Sequence, residues 1–184
     1  MKKLNDYSGP FIPDLKFSDF SKDTLVRLLE IYCQFYMALD GFWYLTVKDR
    51  VSNEEALTCD LQVWDRLAKY EIIRITRLLD LQGNDVATLM KILQLTPWQR
   101  QTRYHTEFIS PHRAIMTVTD CATLRALEKE GLGREKYVCQ QADPHILQRY
   151  ASLISPDIKV RYLKVPPRKS PDDICCQWEF AVNG

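Results

Sequence analysis

The first half of the chain carries apolar residues three and four positions apart, which is the spacing of one face of an α-helix. This pattern predicts a first helix over residues 21–50, with Ser21 as its N-cap. One broad apolar stripe on the helix is expected to face the core: Leu25, Leu28, Leu29, Tyr32, Phe35, Tyr36, Leu39, Phe42 and Trp43.

Two more helices are predicted before the pattern changes. Ser52 begins a capping-box sequence, so a second helix is expected from there to about Leu81, with Gly83 as its C-terminal cap. Asn84 or Asp85 then caps a third, short helix. Short connections favour antiparallel neighbours, so the first half is predicted to form an antiparallel helical layer.

Apolar and polar residues alternate over much of the second half, which is typical of β-strands. Strands are expected over 103–109, 113–120, 159–165 and 174–182, and helices over 122–130 and 143–154. Helices followed by a mostly antiparallel four-stranded sheet predict an α+β fold. Residues 1–20, with Pro10 and Pro13, suit an extended N-terminal arm, which leaves a single domain over residues 21–184.

The near-neutral charge of the chain narrows its range of functions. With 25 Lys+Arg, 24 Asp+Glu and a formal net charge of +1, the chain lacks the basic field that attracts nucleic acid. No apolar run approaches the ~20 residues that span a bilayer, and no secretory signal is recognisable. We therefore expect a cytoplasmic protein with reduced thiols that binds neither nucleic acid nor membrane. Both a monomer and a homo-oligomer are compatible with the sequence.

Six cysteines are candidate reactive groups, and their positions separate them. Cys33 and Cys59 fall inside the two long helices, where a thiol usually packs as a small apolar side chain. Cys175 and Cys176 are neighbours on a predicted strand and must point to opposite faces. Cys176 shares the apolar face with Trp178 and is expected to point inward, whereas Cys175 is expected to face solvent or a second layer.

Cys121 and Cys139 lie at the ends of predicted elements, where side chains converge on pockets. Cys121 ends a strand, and Cys139 precedes Asp143-Pro144, which has the pattern of an N-cap and the first residue of a helix. Asp143 is therefore either a helix cap or a partner of the Cys139 thiol. His145 is either a solvated residue of the first turn or a base for a thiol.

Residues 116–121, 133–143 and 176–178 resemble the L-2-amino-thiazoline-4-carboxylic acid hydrolase-like family. That family has a strand ending in Cys, a later Cys-x-x-x-Asp or similar element, and a late Cys-x-aromatic strand. The similarity covers residues 25–180 and implies a cytosolic bacterial or archaeal relative of these hydrolases, with a fold similar to four-vinyl-reductase-type ligand-binding domains. The Pro-rich loop 166–173 and the extra Cys175 depart from the family pattern.

The resemblance implies a thiol-dependent hydrolase that opens a small cyclic amidine or thiazoline-like compound at a C–N or C–S bond. Cys139 or Cys176 would attack as the thiolate, Asp143 would orient or deprotonate it, and Cys121 would stand beside them. A free thiol is mostly protonated at neutral pH, so this chemistry requires an activating group.

Two alternatives use the same residues without that reaction. A non-catalytic small-molecule-binding or sensor domain would enclose its ligand with Trp43, Trp178 and Tyr36, although aromatic residues at helical spacing also suit a plain core. A zinc or iron site would need soft donors brought together by the fold, because no Cys-x-x-Cys pair is present. Its candidate ligands are Cys121, Cys139 and Cys176, with Asp143 or His145.

Overall fold

A computed structural model describes residues 3–182, and it has the predicted α+β architecture. The helices are α1 (Lys22–Arg50), α2 (Asn53–Leu79), α3 (Val86–Leu93), α4 (Ala122–Glu130), α5 (Glu135–Tyr137) and α6 (Asp143–Ile154). The strands are β1 (Thr102–Ser110), β2 (Arg113–Cys121), β3 (Ile158–Lys164) and β4 (Cys176–Val182). The predicted element boundaries are confirmed within about two residues.

Within residues 3–182, the four strands form one antiparallel sheet in the order β1-β2-β4-β3. β1 and β2 make the predicted hairpin, and β4 pairs with both β2 and β3. The register of β2 and β4 places Met116 opposite Trp178 and Val118 opposite Cys176. Because side chains alternate along a strand, these four residues share one face of the sheet, which we call its inner face.

The main core lies between this inner face and helices α2, α3 and α6. The buried side of α2 repeats at four-residue intervals, which keeps one stripe of the helix against the sheet layer. It begins with Ala56, Asp60, Trp64 and Ala68 and continues with Glu71 and Ile72. Trp178, Phe180 and Tyr150 are among the largest fully buried side chains, and burial of residues of this size stabilises the fold by about 2–3 kcal/mol each.

The apolar stripe of α1 is only partly covered. Tyr36 packs against the core, as its place in the stripe predicts, whereas Tyr44, which the predicted stripe omits, is buried. Phe35, Leu39 and Phe42 are each 60% or more exposed, so the prediction that the whole stripe faces the core is wrong for them. The helix is long because its spacing and its Ser21 cap favour it, but only one side of it meets α2 and the turn Gln99–Gln101.

Two helix ends differ from the sequence prediction. Asp80, with a left-handed φ of 48°, caps α2, so the predicted cap at Gly83 is wrong. Asp143 lies inside a continuous helical run, because a π-helical turn (Val138–Ala142) joins α5 to α6, so it is not the N-cap of α6. The propensity of Asp-Pro for a helix start is overridden by the turn that precedes it.

The described part of the predicted arm, residues 3–20, doubles back beside the start of α1. Leu4 bridges to Phe20, and the Ser21 N–H donates to the Leu4 carbonyl at 2.8 Å. Apart from the short 3₁₀ turn Phe17–Asp19, the segment is not helical, and Phe11 is 82% exposed. Residues 1–2 of the arm and 183–184 of the predicted domain lie outside the described residues.

Candidate functional site

The three candidate thiols and Asp143 line one cavity between the helical layer and the inner face of the sheet. The cavity has a volume of about 140 Å³. We call it the thiol–carboxyl cavity, after its ionisable members: Cys121, Cys139, Cys176, Asp40, Asp60 and Asp143. Three indoles and several aliphatic side chains complete the wall: Trp64, Trp98, Trp178, Met37, Met116, Val118 and Leu147.

The sheet supplies Cys176 and Trp178 through the register of β2 and β4. Both side chains point to the inner face, as alternation along the strand predicts. The Trp178 indole N–H donates to the Cys176 Sγ at 3.0 Å, and this contact fixes the thiol against the wall. The prediction that Cys176 points inward is confirmed.

Cys121 stands at the junction of β2 and α4. It has extended backbone angles, it is the N-cap of α4, and its Sγ accepts the Leu124 N–H at 3.4 Å. A cap at a strand-to-helix junction aims its side chain across the helix start, which here opens onto the cavity. The sequence therefore located this thiol correctly, and the structure adds a capping role.

Cys139 and Asp143 reach the cavity through the π-helical turn. The Asp143 N–H bonds to the Val138 carbonyl, five residues earlier, and the turn brings Cys139 inward to 7% exposure. Residues four apart share a helix face, so the Asp143 carboxyl lies beside the Cys139 thiol. π-Helical turns are frequent at functional sites because they re-aim side chains in this way.

Asp40 and Asp60 are members of the site that the sequence analysis missed. Asp40 lies on the side of α1 that carries Tyr36 and Tyr44, and Asp60 lies between Ala56 and Trp64 on the buried stripe of α2. An acidic residue at an inward position of an amphipathic helix is the signal that could have found them. This signal is easily overlooked, because charged residues on long helices usually face solvent.

Asp60 is the least satisfied polar group of the site. The residue is 8% exposed, and its Oδ1 has no hydrogen-bond partner within residues 3–182. A buried oxygen left without a donor costs free energy, because it loses its hydrogen bonds to water. The site therefore offers an acceptor that nothing in the described chain uses.

Burial governs the ionisation of the three carboxyls. It raises the pKa of Asp40 to about 6, of Asp60 to about 7 and of Asp143 to about 7. Asp40 and Asp143 also raise the pKa of Asp60 by charge repulsion, while the Trp64 indole opposes the rise. The three carboxyls therefore change protonation state close to neutral pH.

Burial also raises the pKa of the three thiols. The pKa of Cys121 rises to about 11, and those of Cys139 and Cys176 rise well above the ordinary value. The Asp143 carboxylate adds to each rise after burial. The thiols are therefore protonated at neutral pH, and a thiolate needs a base or a bound cation to form.

An outer groove adjoins the cavity. It has a volume of about 510 Å³, lies between α1, α4 and the residues on either side of α5, and shares Met37, Asp40, Asp60, Thr123 and Val138 with the cavity. Two of the carboxyls therefore stand at the junction of the two spaces, where an entering molecule would pass them.

Two of the three predicted ligand-binding aromatic residues lie elsewhere. Trp178 lines the cavity as expected. Tyr36 does not, because its hydroxyl donates to Glu71 at 2.9 Å and its ring packs on Trp64. Trp43 is 39% exposed on α1, so its predicted role in enclosing a ligand is wrong.

His145 is also outside the cavity. Its Nε2 lies 3.0 Å from the Asp65 carboxylate on the surface, and its side chain is 45% exposed. The interpretation of His145 as a solvated first-turn residue is thereby supported, and its roles as base or metal ligand at this cavity are wrong.

The remaining cysteines correct the sequence prediction for Cys33 and Cys59 and decide between the two predicted surroundings of Cys175. Cys33 and Cys59 are half-buried rather than core residues, because each lies at the border of a helix face. Cys175 precedes β4 and is only 3% exposed, packed with Val118 and Leu124, so it does not face solvent. Its N–H donates to the Val118 carbonyl at 2.8 Å, which holds it in the small second core.

The cavity does not gather its donors as a metal site would. Within residues 3–182, no three His, Cys, Asp or Glu side chains come close enough together to hold a metal ion. The predicted zinc or iron site of Cys121, Cys139 and Cys176, with Asp143 or His145, is therefore not gathered among these residues. His145 in addition lies on the surface.

Fold and site together define an α+β domain with a partly enclosed cavity of thiols, carboxyls and indoles. A family model matches residues 18–182, and the chain belongs to that family, the family of unknown function DUF6125. No curated protein and no solved structure matches the chain. Within residues 3–182, no helix combines the length and apolarity needed to cross a membrane.

Proposed function

We propose that this domain binds a small organic molecule in the thiol–carboxyl cavity. The observation that carries the proposal is the unpartnered Oδ1 of Asp60, a buried carboxyl on the cavity wall. A ligand N–H or O–H at this oxygen would remove the cost of burying it. Binding sites are typically apolar cavities with a few convergent polar groups, and this cavity has that composition.

The volume limits the size of the ligand. An engineered cavity of about 150 Å³ holds benzene, so a space of about 140 Å³ suits a single five- or six-membered ring with small substituents. Larger substituents would extend into the outer groove.

Indole resonances give a direct test of binding. Trp64, Trp98 and Trp178 line the cavity, whereas Trp43 lies outside it. In a fragment screen of the full chain by NMR, we expect true ligands to shift the three cavity indole signals and leave that of Trp43 in place. Ligands that shift Trp43 alone would place binding elsewhere and contradict the proposal.

A blocking substitution supplies the matched control. Thr123 stands at the junction of cavity and groove, so Thr123→Trp should abolish the shifts of Trp64 and Trp178. Thr58→Trp, at an exposed position of α2, should leave them unchanged. Equal binding by both variants would argue against entry through the groove.

A second candidate function is hydrolysis of the bound molecule, favoured by the Cys139 thiol beside Asp143. With a pKa of about 7, Asp143 is suited to accept a proton at neutral pH. It would take the Cys139 proton as sulfur forms a bond to an amidine carbon, and return it to the departing nitrogen as the C–N bond breaks. Water would then cleave the C–S bond and restore the thiol. The cytoplasmic location inferred from the sequence would keep these thiols reduced.

Turnover of 2-amino-2-thiazoline, followed by mass spectrometry, tests this second function. If Cys139 is the nucleophile, we expect Cys139→Ser to lower the rate by about 10² or more and Asp143→Asn to lower it comparably. Cys59→Ser, at a half-buried thiol outside the cavity, is the control. Full turnover by Cys139→Ser would exclude this nucleophile, and Cys176→Ser would then be tested in the same way.

A further inference from the structure

The charge of the cavity wall points to the class of ligand, and this inference rests on the binding function proposed above. We propose that the thiol–carboxyl cavity recognises a small organic cation with several N–H donors, such as an amidinium or guanidinium group, through Asp40, Asp60 and Asp143.

The first support is the charge of the ionisable side chains that line the cavity. Three carboxyls face the cavity, and within the described part of the chain no Lys, Arg or His lines it. The other buried acidic residues of residues 3–182 have partners: Glu71 is bonded by two tyrosines, and Glu179 by two arginines. Among the buried acidic residues of this part of the chain, Asp60 is therefore the one whose carboxyl keeps an oxygen without a donor.

The second support is the unpartnered Asp60 Oδ1, which is independent of the number of acids. Asp60 lines the cavity and is more than nine-tenths buried, and its Oδ1 has no hydrogen-bond donor among residues 3–182. A cationic N–H supplies both the missing hydrogen bond and the missing charge, and charge-assisted hydrogen bonds are about twice as strong as neutral ones.

The third support is the nature of the rest of the wall. Trp64, Trp98 and Trp178 present indole surfaces, and indole is the aromatic side chain that attracts a cation best. Within residues 3–182 no three acidic, Cys or His side chains come together as metal ligands, so these acceptors suit an organic cation with several N–H groups better than a metal ion.

Other charged groups near the carboxyls do not neutralise them. In the outer groove, Arg134 is paired with Glu130 at 2.6 Å, and its guanidinium lies over the Tyr44 ring. The thiols of Cys121, Cys139 and Cys176 are protonated and bring no positive charge. A bound cation would therefore favour ionised carboxyls and release protons, so its affinity should rise between pH 6 and pH 8.

A matched pair of ring compounds tests the proposal. The cation 2-amino-2-imidazolinium and the neutral 2-imidazolidinone have the same shape, and both are about the size of benzene. Calorimetric titration of the full chain at pH 8 should give at least about tenfold tighter binding of the cation, with proton release. At pH 6 the preference should shrink.

Substituted variants separate the effect of the Asp60 charge on binding from any effect on folding. Asp60→Asn keeps the shape of the side chain and should remove the preference for the cation, whereas Asp65→Asn, at an exposed position of the same helix, should keep it. Circular dichroism and thermal melting would establish that both variants fold. Asp40→Asn is the second variant if Asp60→Asn does not fold.

The outcomes distinguish the two proposals. If both compounds shift the cavity indoles but bind equally well, or the neutral compound binds more tightly, the binding function is retained and the proposed preference for a cation is wrong. If neither compound shifts those indoles, the proposed recognition of a cation is wrong, and the result counts against the binding function as well. If both Asp60→Asn and Asp40→Asn keep the preference for the cation, the cation binds at another site.

Discussion

Helix α2 carries two buried carboxyls with opposite surroundings. Glu71 and Asp60 are both 8% exposed and lie three turns apart on the same buried stripe. Glu71 accepts hydrogen bonds from the hydroxyls of Tyr36 and Tyr150, whereas one oxygen of Asp60 accepts none within residues 3–182. Equal burial therefore does not imply an equal role, and the number of donors separates a structural acid from one that is free to meet a ligand.

The network at Glu71 joins three helices or their connections. Tyr36 comes from α1, Tyr150 from α6, and the Trp98 indole N–H donates to the Tyr150 hydroxyl at 3.3 Å. A fully satisfied polar network fixes the relative positions of the elements that share it. This network ties α1, α2 and α6 together, and its Trp98 also lines the cavity.

Glu71→Ala should have the largest effect on stability. It leaves the Tyr36 and Tyr150 hydroxyls without their acceptor and opens a space in the core, which together should lower the free energy of unfolding by about 2–4 kcal/mol. Urea denaturation at pH 7 measures this loss. A change below about 0.5 kcal/mol would mean that the network does not hold the helices.

Asp60→Asn should change stability in the opposite direction. Burial raises the pKa of Asp60 from 3.8 to about 7, so the folded protein carries a penalty for the ionised form that is absent below about pH 4 and complete above about pH 7. Asn has no such penalty. We expect the ligand-free variant to gain about 1–3 kcal/mol at pH 8 and little at pH 4.

Urea denaturation at the two pH values checks this gain. Asp65→Asn is the control, because the Asp65 side chain is 41% exposed on the same helix and its ion pairs with His145 and Arg149 contribute little at that exposure. Loss of stability at both pH values would instead make Asp60 a structural acid like Glu71, and the contrast between them would be lost.

Sequence reasoning reached one side of the cavity and missed the other. Cys121, Cys139 and Cys176 were found because they lie at element ends or on an alternating strand, where local pattern fixes the direction of a side chain. Asp40 and Asp60 were missed because the same helical spacing that reveals an apolar stripe treats an acid within it as a solvated exception. Only the packing of α1 against α2 decides which acids are enclosed.

The periodicity of the sequence also does not predict how much of the apolar stripe of α1 is buried in the core. Phe35, Leu39 and Phe42 have the spacing of a buried stripe but are exposed, because an element can cover only the side of α1 that it contacts. His145 failed for a related reason: sequence proximity to Asp143 gave no information about its partner, Asp65, which is eighty positions away on α2. Local pattern predicts elements and faces, and tertiary packing selects which faces meet.

The rates at which thiols react provide a comparison between the cavity and the surface of α2. Cys139 is buried and Cys59 is half-buried, and burial raises the pKa of both, far more for Cys139. We expect iodoacetamide to modify Cys59 at least about tenfold faster than Cys139, measured by peptide mass spectrometry. If Cys139 reacts first, an activating group reaches it in solution, and the thiol hydrolase becomes the better explanation of the cavity.

Tyr36→Phe should have the smallest effect and sharpens the comparison most. It removes one of the two hydroxyls that donate to Glu71, and the remaining bond from Tyr150 keeps the carboxyl partly satisfied, so a loss of about 0.5–1.5 kcal/mol is expected in urea denaturation. Because Tyr36 does not line the cavity, binding of 2-amino-2-imidazolinium should change less than about twofold. A large loss of binding with little loss of stability would assign Tyr36 to the ligand after all, and it would mean that the Glu71 network and the cavity are one site.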